Sequence, residues 1–329
     1  MLILEVKLEN RLFDSLQSAA EAAVGDPQSL RRSLKRIVQT QDVFRSEQHL
    51  ISQDLEAWFE VGPMASSPLF WVKQTVLRAY IERHLDLSVA ALSPFIPQPP
   101  MDETRTLTVH LIPGFAHCYG PTEGVQLFAL RAGAVPAEAL LFLIHVYYHE
   151  ISSLFYTETS RRAANDPDTA ELFRHWLLLL IQNEGLANHV VLESLLALQA
   201  QGCPFAYFTY ADLVRNREAT AKAMTFCREI LSQLNDSNFS HLRGHISTIL
   251  KNPRLPVINL VGIHLAEAIA ASFGERTLSA AAGREPQEFF RLYSDTGDQL
   301  CQYLFGPHGE AAAAFGLLKL DQVSPERGG

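Results

Sequence analysis

The sequence predicts a mainly helical protein with one small antiparallel β-sheet, an α+β arrangement. Three observations lead to this fold class. Apolar residues recur at three- and four-residue spacing along most of the chain, which is the period of an α-helix. Only two short segments, Thr106–Ile112 and Val125–Leu130, alternate apolar with polar residues, as β-strands do. The proline and glycine residues between these segments favour a loop that joins two antiparallel strands.

The remaining elements follow from the same period and from its interruptions by proline and glycine. The proline-rich segment 86–104 cannot be a helix interior and is interpreted as a connector, and the polar segment 160–168 is interpreted as a loop. Helices are predicted over parts of 1–60, Phe70–Leu85, Pro136 to about Thr159, 170–200, 211–234, 240–250, 257–273 and 286–305.

Composition and charge narrow the class of protein. Of the 329 residues, 47% are hydrophobic and 19% are charged, which is typical of a globular chain that buries a core. The net charge of −9 and the absence of a basic run argue against a nucleic-acid partner, because phosphate binding needs clustered positive charge. No apolar stretch is long enough to cross a bilayer, so no membrane partner is expected.

The N-terminus and the cysteines predict a cellular compartment. Residues 1–14 become charged within five residues and contain no secretory leader pattern. The four cysteines are scattered and form no CxxC pair, which favours reduced thiols. These features together predict a cytoplasmic protein. They leave the oligomeric state open.

The most informative segment is an HxxxH pair, His145 and His149, within an apolar helical stretch. Residues four apart on a helix lie about 40° apart and one turn along, so both imidazoles project from one face. Two histidines so placed can share a metal ion. The alternative is a pair of core histidines that are satisfied by hydrogen bonds, and the HxxxH spacing alone does not decide between the two.

A carboxylate in the next long helix favours the metal site. Glu184 lies within a very apolar run and is followed at once by Gly185. A buried carboxylate without a partner is costly, and a glycine beside it lets another helix approach closely. Two histidines and one carboxylate leave an open coordination position, as in catalytic zinc sites. The alternative is that Glu184 only caps or bridges helices.

With these residues the chain resembles the gluzincin class of zinc metallopeptidases, and in particular the zinc-dependent peptidases grouped as DUF5700 and DUF2268. The resemblance rests on HxxxH followed about 35 residues later by Glu-Gly-x-Ala (Glu184–Ala187), and it covers about 105–295. Further residues that match the family pattern are Val261–Ile269, Phe273, Gly274, Pro286, Phe289 and Tyr293. It implies a zincin-like architecture in which His145, His149 and Glu184 bind zinc. The chain is therefore divided into an N-terminal helical region over 1–100, which carries no motif of this family, a metal-binding domain over 101–310 and a tail over 311–329.

The chain departs from this family at the general base. In HExxH the residue after the first histidine is the catalytic glutamate, and in the inverted motif the glutamate precedes the second histidine; here those positions hold Val146 and Tyr148. Glu150 lies on the same side of the helix as the usual glutamate but about one turn further along. It is the candidate proton acceptor, with a solvated carboxylate as the alternative. Tyr148 is a candidate hydrogen-bond donor to an oxyanion, with core packing as the alternative.

Four more side chains are candidates to orient a ligand or to contact substrate. Asn188 is four residues after Glu184 on the same helix face and is a candidate to orient a histidine ligand, and His189 is next to it. His264 lies in the helix that resembles the closing helices of the family. The resemblance implies that the strand beside the active site binds extended peptide, which would bring His117 near substrate.

Three functions are compatible with these residues. The favoured one is a zinc hydrolase that acts on a peptide or a small-molecule amide. The second is a metalloenzyme with other chemistry, because two histidines and one carboxylate also bind Fe²⁺, and Mn²⁺ is a further alternative. The third is a catalytically inactive descendant that serves as a binding protein.

Overall fold

The computed structural model describes residues 2–96, 103–122, 124–239, 242–244, 246 and 256–306. These residues are mainly helical, as predicted. The helix predicted over 240–250 lies mostly outside the described residues, as do residues 97–102 of the connector predicted over 86–104, and the tail predicted over 311–329 lies wholly outside them. The connector was wrong at both ends, because residues 86–90 are helical and 103–104 belong to a strand. The first proline of the segment is Pro94, so nothing prevents a helix up to residue 90. No helix among the described residues is long and apolar enough to cross a membrane.

The chain divides into two compact units. Unit one comprises the described residues within Met1–Ala91, Gln98–Glu150 and Ala197–Phe208. Unit two comprises those within Leu92–Pro97, Ile151–Leu196 and Thr209–Gly329.

Unit one begins with a strand that the sequence analysis missed. Strand β1 (Leu2–Glu9) precedes the first helix, although helical spacing was the pattern noted over 1–60. The reason is local: Leu4, Val6 and Leu8 alternate with charged residues, a period of two that the longer helical pattern obscures. The helices that follow are α1 (Arg11–Ala22), α2 (Pro27–Thr40), α3 (Gln48–Gln53), α4 (Leu55–Trp58), α5 (Val61–Ser66) and α6 (Pro68–Ala90).

The sheet of unit one has four strands in the order β1-β2-β4-β3. Strands β2 (Glu103–Pro113) and β4 (Val125–Leu130) confirm the two predicted segments, but they pair in parallel, so the prediction of an antiparallel pair was wrong. The short strand β3 (Tyr119–Thr122) lies between them in sequence and pairs antiparallel with β4. The hairpin is therefore β3–β4, and it places β4 between β2 and β3. Strand β1 also pairs in parallel with β2.

Alternation along β4 divides its side chains between two packed faces. Leu127 and Ala129 join Ile112 in the core that α1 to α5 cover. Phe128 points to the other face, where its ring lies 6.1 Å from that of Phe142. Both faces of β4 are buried, and this accounts for its nearly continuous apolar sequence, as is usual for a central strand. This second face supports helix α7 (Pro136–Ser153), which begins with a proline at its first position, as predicted.

Unit two is built from helices. The predicted helix over 170–200 is confirmed as α9 (Ala170–Ala200), and the one over 257–273 as α11 (Val257–Phe273). The loop predicted over 160–168 was wrong for residues 160–165, which belong to α8 (Glu158–Asn165). Thr157 caps α8, since its hydroxyl accepts a hydrogen bond from the Ser160 amide at 3.1 Å. The other helices are α10 (Arg217–Gln233), α12 (Glu275–Ala281), α13 (Pro286–Ser294) and α14 (Cys301–Phe305), of which the last two divide the predicted helix over 286–305.

Candidate metal centre

Helix α7 presents the two histidines as their spacing predicts. His145 and His149 are one turn apart, and their Nε2 atoms approach each other to 3.2 Å. The ring centroids are 4.7 Å apart with the planes 76° apart. His145 is only 4% exposed and His149 is half-buried. Two Nε2 atoms that converge in a buried position can both bind one cation.

Aromatic side chains fix the ring of His145. Phe142, one turn earlier on α7, stacks on it with a centroid distance of 5.6 Å and an interplanar angle of 11°. Phe208 meets it edge-on at 5.9 Å. Tyr207 in turn stacks on Phe142 at 4.6 Å. The imidazole is therefore held on two sides by rigid groups.

The carboxylate of Glu184 is oriented by two amide side chains. Asn188 donates from Nδ2 to Glu184 Oε2 at 3.2 Å, and Asn259 donates from Nδ2 to the same oxygen at 2.7 Å. The hydroxyl of Tyr210 donates to Asn188 Oδ1, which fixes the direction of that amide. Burial, with the negative charge of Glu184 as a further cause, raises the pKa of Tyr210, so this hydroxyl keeps its proton. Asn188 was predicted to orient a histidine, whereas its amide contacts the carboxylate of Glu184, one turn earlier on the same helix.

A crossing of two glycines brings Asn259 within reach. A Cβ atom added at Gly185 would lie 2.4 Å from the carbonyl oxygen of Gly262, and one added at Gly262 would lie 2.4 Å from that of Ile181. Helices α9 and α11 thus touch backbone to backbone, which only glycine permits. The close approach predicted from Gly185 is confirmed. Asn259 is one turn before Gly262 on α11, so the crossing sets its distance from Glu184.

His145 and His149 in unit one, and Glu184 in unit two, carry the side-chain atoms that could bind a metal ion. Within unit one the two Nε2 atoms converge, and within unit two the carboxylate is held by two amides. The donor set fits a divalent cation such as zinc, which takes imidazole nitrogen and carboxylate oxygen and in catalytic sites keeps one position open. Ligands that are oriented by neighbouring hydrogen bonds are a further feature of such sites.

The candidate catalytic side chains differ in environment. Glu150 is half-buried, and its Oε1 atom lies near the hairpin, 3.4 Å from where a Cβ on Gly120 would be. Gly120 belongs to β3, an edge strand of the sheet. Tyr148 is 2% exposed, and burial raises the pKa of its hydroxyl, which therefore stays protonated and able to donate.

The three other candidate histidines have contacts of their own. His189 lies 3.1 Å from the carboxylate of Glu275. His264 lies 3.1 Å from Asp298; burial lowers the pKa of His264, and the charge of Asp298 opposes that shift. His117 is exposed and meets the ring of Trp58 edge-on at 6.0 Å.

Two residues at this centre were missed by sequence reasoning. Asn259 is a polar residue near the start of the apolar helix α11, and that isolation was an available signal. Tyr210 lies in a loop region and has no such signal, because its role depends on its contact with Asn188.

Comparison with known proteins found no relative of this chain. No family model, no curated protein and no solved structure matches this chain.

Proposed function

We propose that this protein is a metal-dependent hydrolase of the peptidase type, with one divalent cation bound by His145, His149 and Glu184. Zinc is the first choice because the donor set is that of catalytic zinc sites. The observation that carries the proposal is the approach of the His145 and His149 Nε2 atoms to 3.2 Å at a buried position of α7. The two amides on Glu184 Oε2 support it, because metal-binding carboxylates are themselves oriented by hydrogen bonds.

The residues around the cation have separate roles in this proposal. A zinc ion bound there would act as a Lewis acid toward the carbonyl group of a peptide or amide. Glu150 accepts a proton. It takes the role of the glutamate of HExxH, because Val146 stands at the position of that glutamate. Tyr148 donates a hydrogen bond to the oxygen on which negative charge develops. The edge strand β3, beside Glu150, offers backbone groups for an extended substrate.

Metal content is the first test. Elemental analysis of the purified protein, expressed without a metal-binding tag, should give about one equivalent of zinc, since the site has one set of ligands. His145→Ala, His149→Ala and Glu184→Ala should each lose it. His49→Ala is the matched control, because His49 is an exposed histidine on α3. Unchanged zinc in the His145→Ala and His149→Ala proteins would remove the basis of the proposal.

The role of Glu150 is tested by hydrolysis. Glu150→Gln keeps the shape of the side chain and removes its basicity, so cleavage of a fluorogenic peptide library should fall by about 10²–10⁴-fold. Zinc content should stay the same, because Glu150 is not among the ligands. Glu193→Gln, at an exposed position of α9, is the control. Equal rates for Glu150→Gln and the native protein would exclude Glu150 as the proton acceptor.

The valine at position 146 favours one alternative function. Two histidines and a carboxylate also bind Fe²⁺ in enzymes that do not hydrolyse their substrates, and such enzymes need no glutamate at the HExxH position. Iron as the metal of the protein purified without oxygen, together with no cleavage of any peptide, would favour this alternative.

A further inference from the structure

A fully buried carboxylate lies at the start of α7, outside the proposed ligand set. Glu138 is 0% exposed. Its Oε1 atom accepts hydrogen bonds from three successive backbone amides, those of Ala206 at 2.8 Å, Tyr207 at 2.6 Å and Phe208 at 3.2 Å. A buried charge is costly unless it is hydrogen-bonded, and three amides on one oxygen favour an anion there. Glu138 therefore fixes the backbone of residues 206–208.

A second set of contacts holds the same segment against the sheet. The hydroxyl of Tyr207 donates to the carbonyl oxygen of Ala129 at 2.6 Å and accepts from the Arg131 amide at 3.0 Å. The guanidinium of Arg131 donates to the carbonyl oxygen of Ala206. The segment is thus held at both its amides and its carbonyl groups, and the rings of Tyr207 and Phe208 have little freedom to move.

The segment lies along the face of α7 that carries His145. Glu138 and His145 are seven residues apart, which is about 20° short of two full turns and a rise of about 10.5 Å. Between them, Phe142 stacks on Tyr207 at 4.6 Å and on His145 at 5.6 Å. Phe208 completes the contact with its edge on the imidazole at 5.9 Å. A continuous path of contacts therefore runs from the carboxylate to the imidazole.

We propose that Glu138 is a positioning residue for His145, acting through the 206–208 segment and its two aromatic rings. This inference rests on the proposed function, because it assigns Glu138 to the support of a metal ligand. With a neutral amide in place of the carboxylate, the three backbone amides have a weaker acceptor and the segment loosens. The ring of His145 then samples directions that do not point at the cation.

The first experiment replaces Glu138 with glutamine. Zinc affinity is measured by competition with a chelating indicator, and Glu138→Gln should bind zinc about 10- to 100-fold more weakly, the usual effect of losing a group that orients a ligand. Glu171→Gln is the matched control, since Glu171 is also a first-turn carboxylate of a long helix but is exposed. It should bind zinc as the native protein does.

A second variant keeps the proposal testable if Glu138→Gln fails to fold. Phe208→Leu leaves an apolar side chain but removes the ring edge on His145, so it should weaken zinc binding in the same direction. Where both variants fold, the double variant should lose less than the product of the two single losses, because both act on one path. If the loss of zinc affinity in the double variant equals the product of the two single losses, the two residues do not act on one path.

A measurement that needs no metal separates this inference from the proposed function. In the metal-free protein, the His145 Hε1 proton signal should carry a ring-current shift from Phe142 and Phe208, and Glu138→Gln should move that signal toward its value in a flexible chain. If the signal and the zinc affinity both stay unchanged in Glu138→Gln, the inference is overturned while the metal site stands. If the native protein binds no zinc, the proposed function fails, and the His145 signal alone decides whether Glu138 positions the ring.

Discussion

At the scale of single residues, Glu184 is the ligand whose direction depends most on its neighbours. Asn259 makes the shorter of the two amide contacts with its Oε2 atom, at 2.7 Å. Asn259→Ala removes that donor and should weaken zinc binding about 10-fold, within the range found for groups that orient ligands. Competition with a chelating indicator measures the effect. Asn165→Ala, at an exposed position, is the control, and equal zinc affinity for Asn259→Ala and the native protein would show that Asn188 alone orients the carboxylate.

The sequence predicted the ligands of the candidate site but not all of their supports. His145 and His149 belong to one helix, so their spacing alone determines that they project together. Asn259 is 75 residues from Glu184 in the chain, and its contact depends on how two helices cross. No local pattern specifies such a crossing. Only the glycine at 185 indicated that a helix approaches at this point.

At the scale of elements, the α9–α11 crossing makes a prediction about stability. Gly185→Ala should gain up to about 1 kcal/mol from helix propensity, but its Cβ would lie 2.4 Å from a backbone oxygen of Gly262. Backbone cannot move aside as a flexible side chain does, so the helices must separate, at a cost of roughly 1–3 kcal/mol or more. We expect a net loss in the free energy of unfolding, measured by urea denaturation.

Gly62→Ala is the control for that prediction. Gly62 is also helical, but a Cβ added there would meet nothing within 4 Å, so the substitution should leave stability equal or higher. The Gly185→Ala protein should also bind zinc more weakly, because separating the helices moves Asn259 away from Glu184. If Gly185→Ala had the same free energy of unfolding as the native protein, helices α9 and α11 would be further apart at this crossing than the distance of 2.4 Å indicates.

The sheet shows where element-level prediction failed. Strand β2 was found because it alternates apolar and polar residues, and β4 because Val125, Leu127 and Ala129 recur at every second position. Strand β3, with the sequence Tyr-Gly-Pro-Thr, is too short to show a period, so its pairing with β4 could not be foreseen. Without β3, two successive strands joined by a turn-rich segment suggest a hairpin. The parallel pairing of β4 with β2 depends on the tertiary fold, so the local sequence of the two strands does not specify it.

At the scale of the whole molecule, metal binding should be coupled to folding. His145 and His149 lie on α7 and Glu184 lies on α9, so the proposed site requires the folded chain. A ligand that binds only the folded form stabilises it by RT ln(1 + [L]/Kd), which is about 2.7 kcal/mol at a free zinc concentration 100 times Kd. The 329-residue chain should have an unfolding entropy of about 0.7 kcal/mol per degree, at roughly 2.1 cal/mol/K per residue.

The resulting expectation is a rise of about 4 °C in the midpoint of thermal unfolding when zinc is added to the metal-free protein, if the chain unfolds in one step. A chelator should reverse the rise. His145→Ala should show the same midpoint with and without zinc, whereas His49→Ala should respond as the native protein does. Differential scanning calorimetry measures both the midpoint and the number of transitions. A native protein whose midpoint does not respond to zinc would contradict a site made of ligands from two helices, because such a site must stabilise the fold when it is filled.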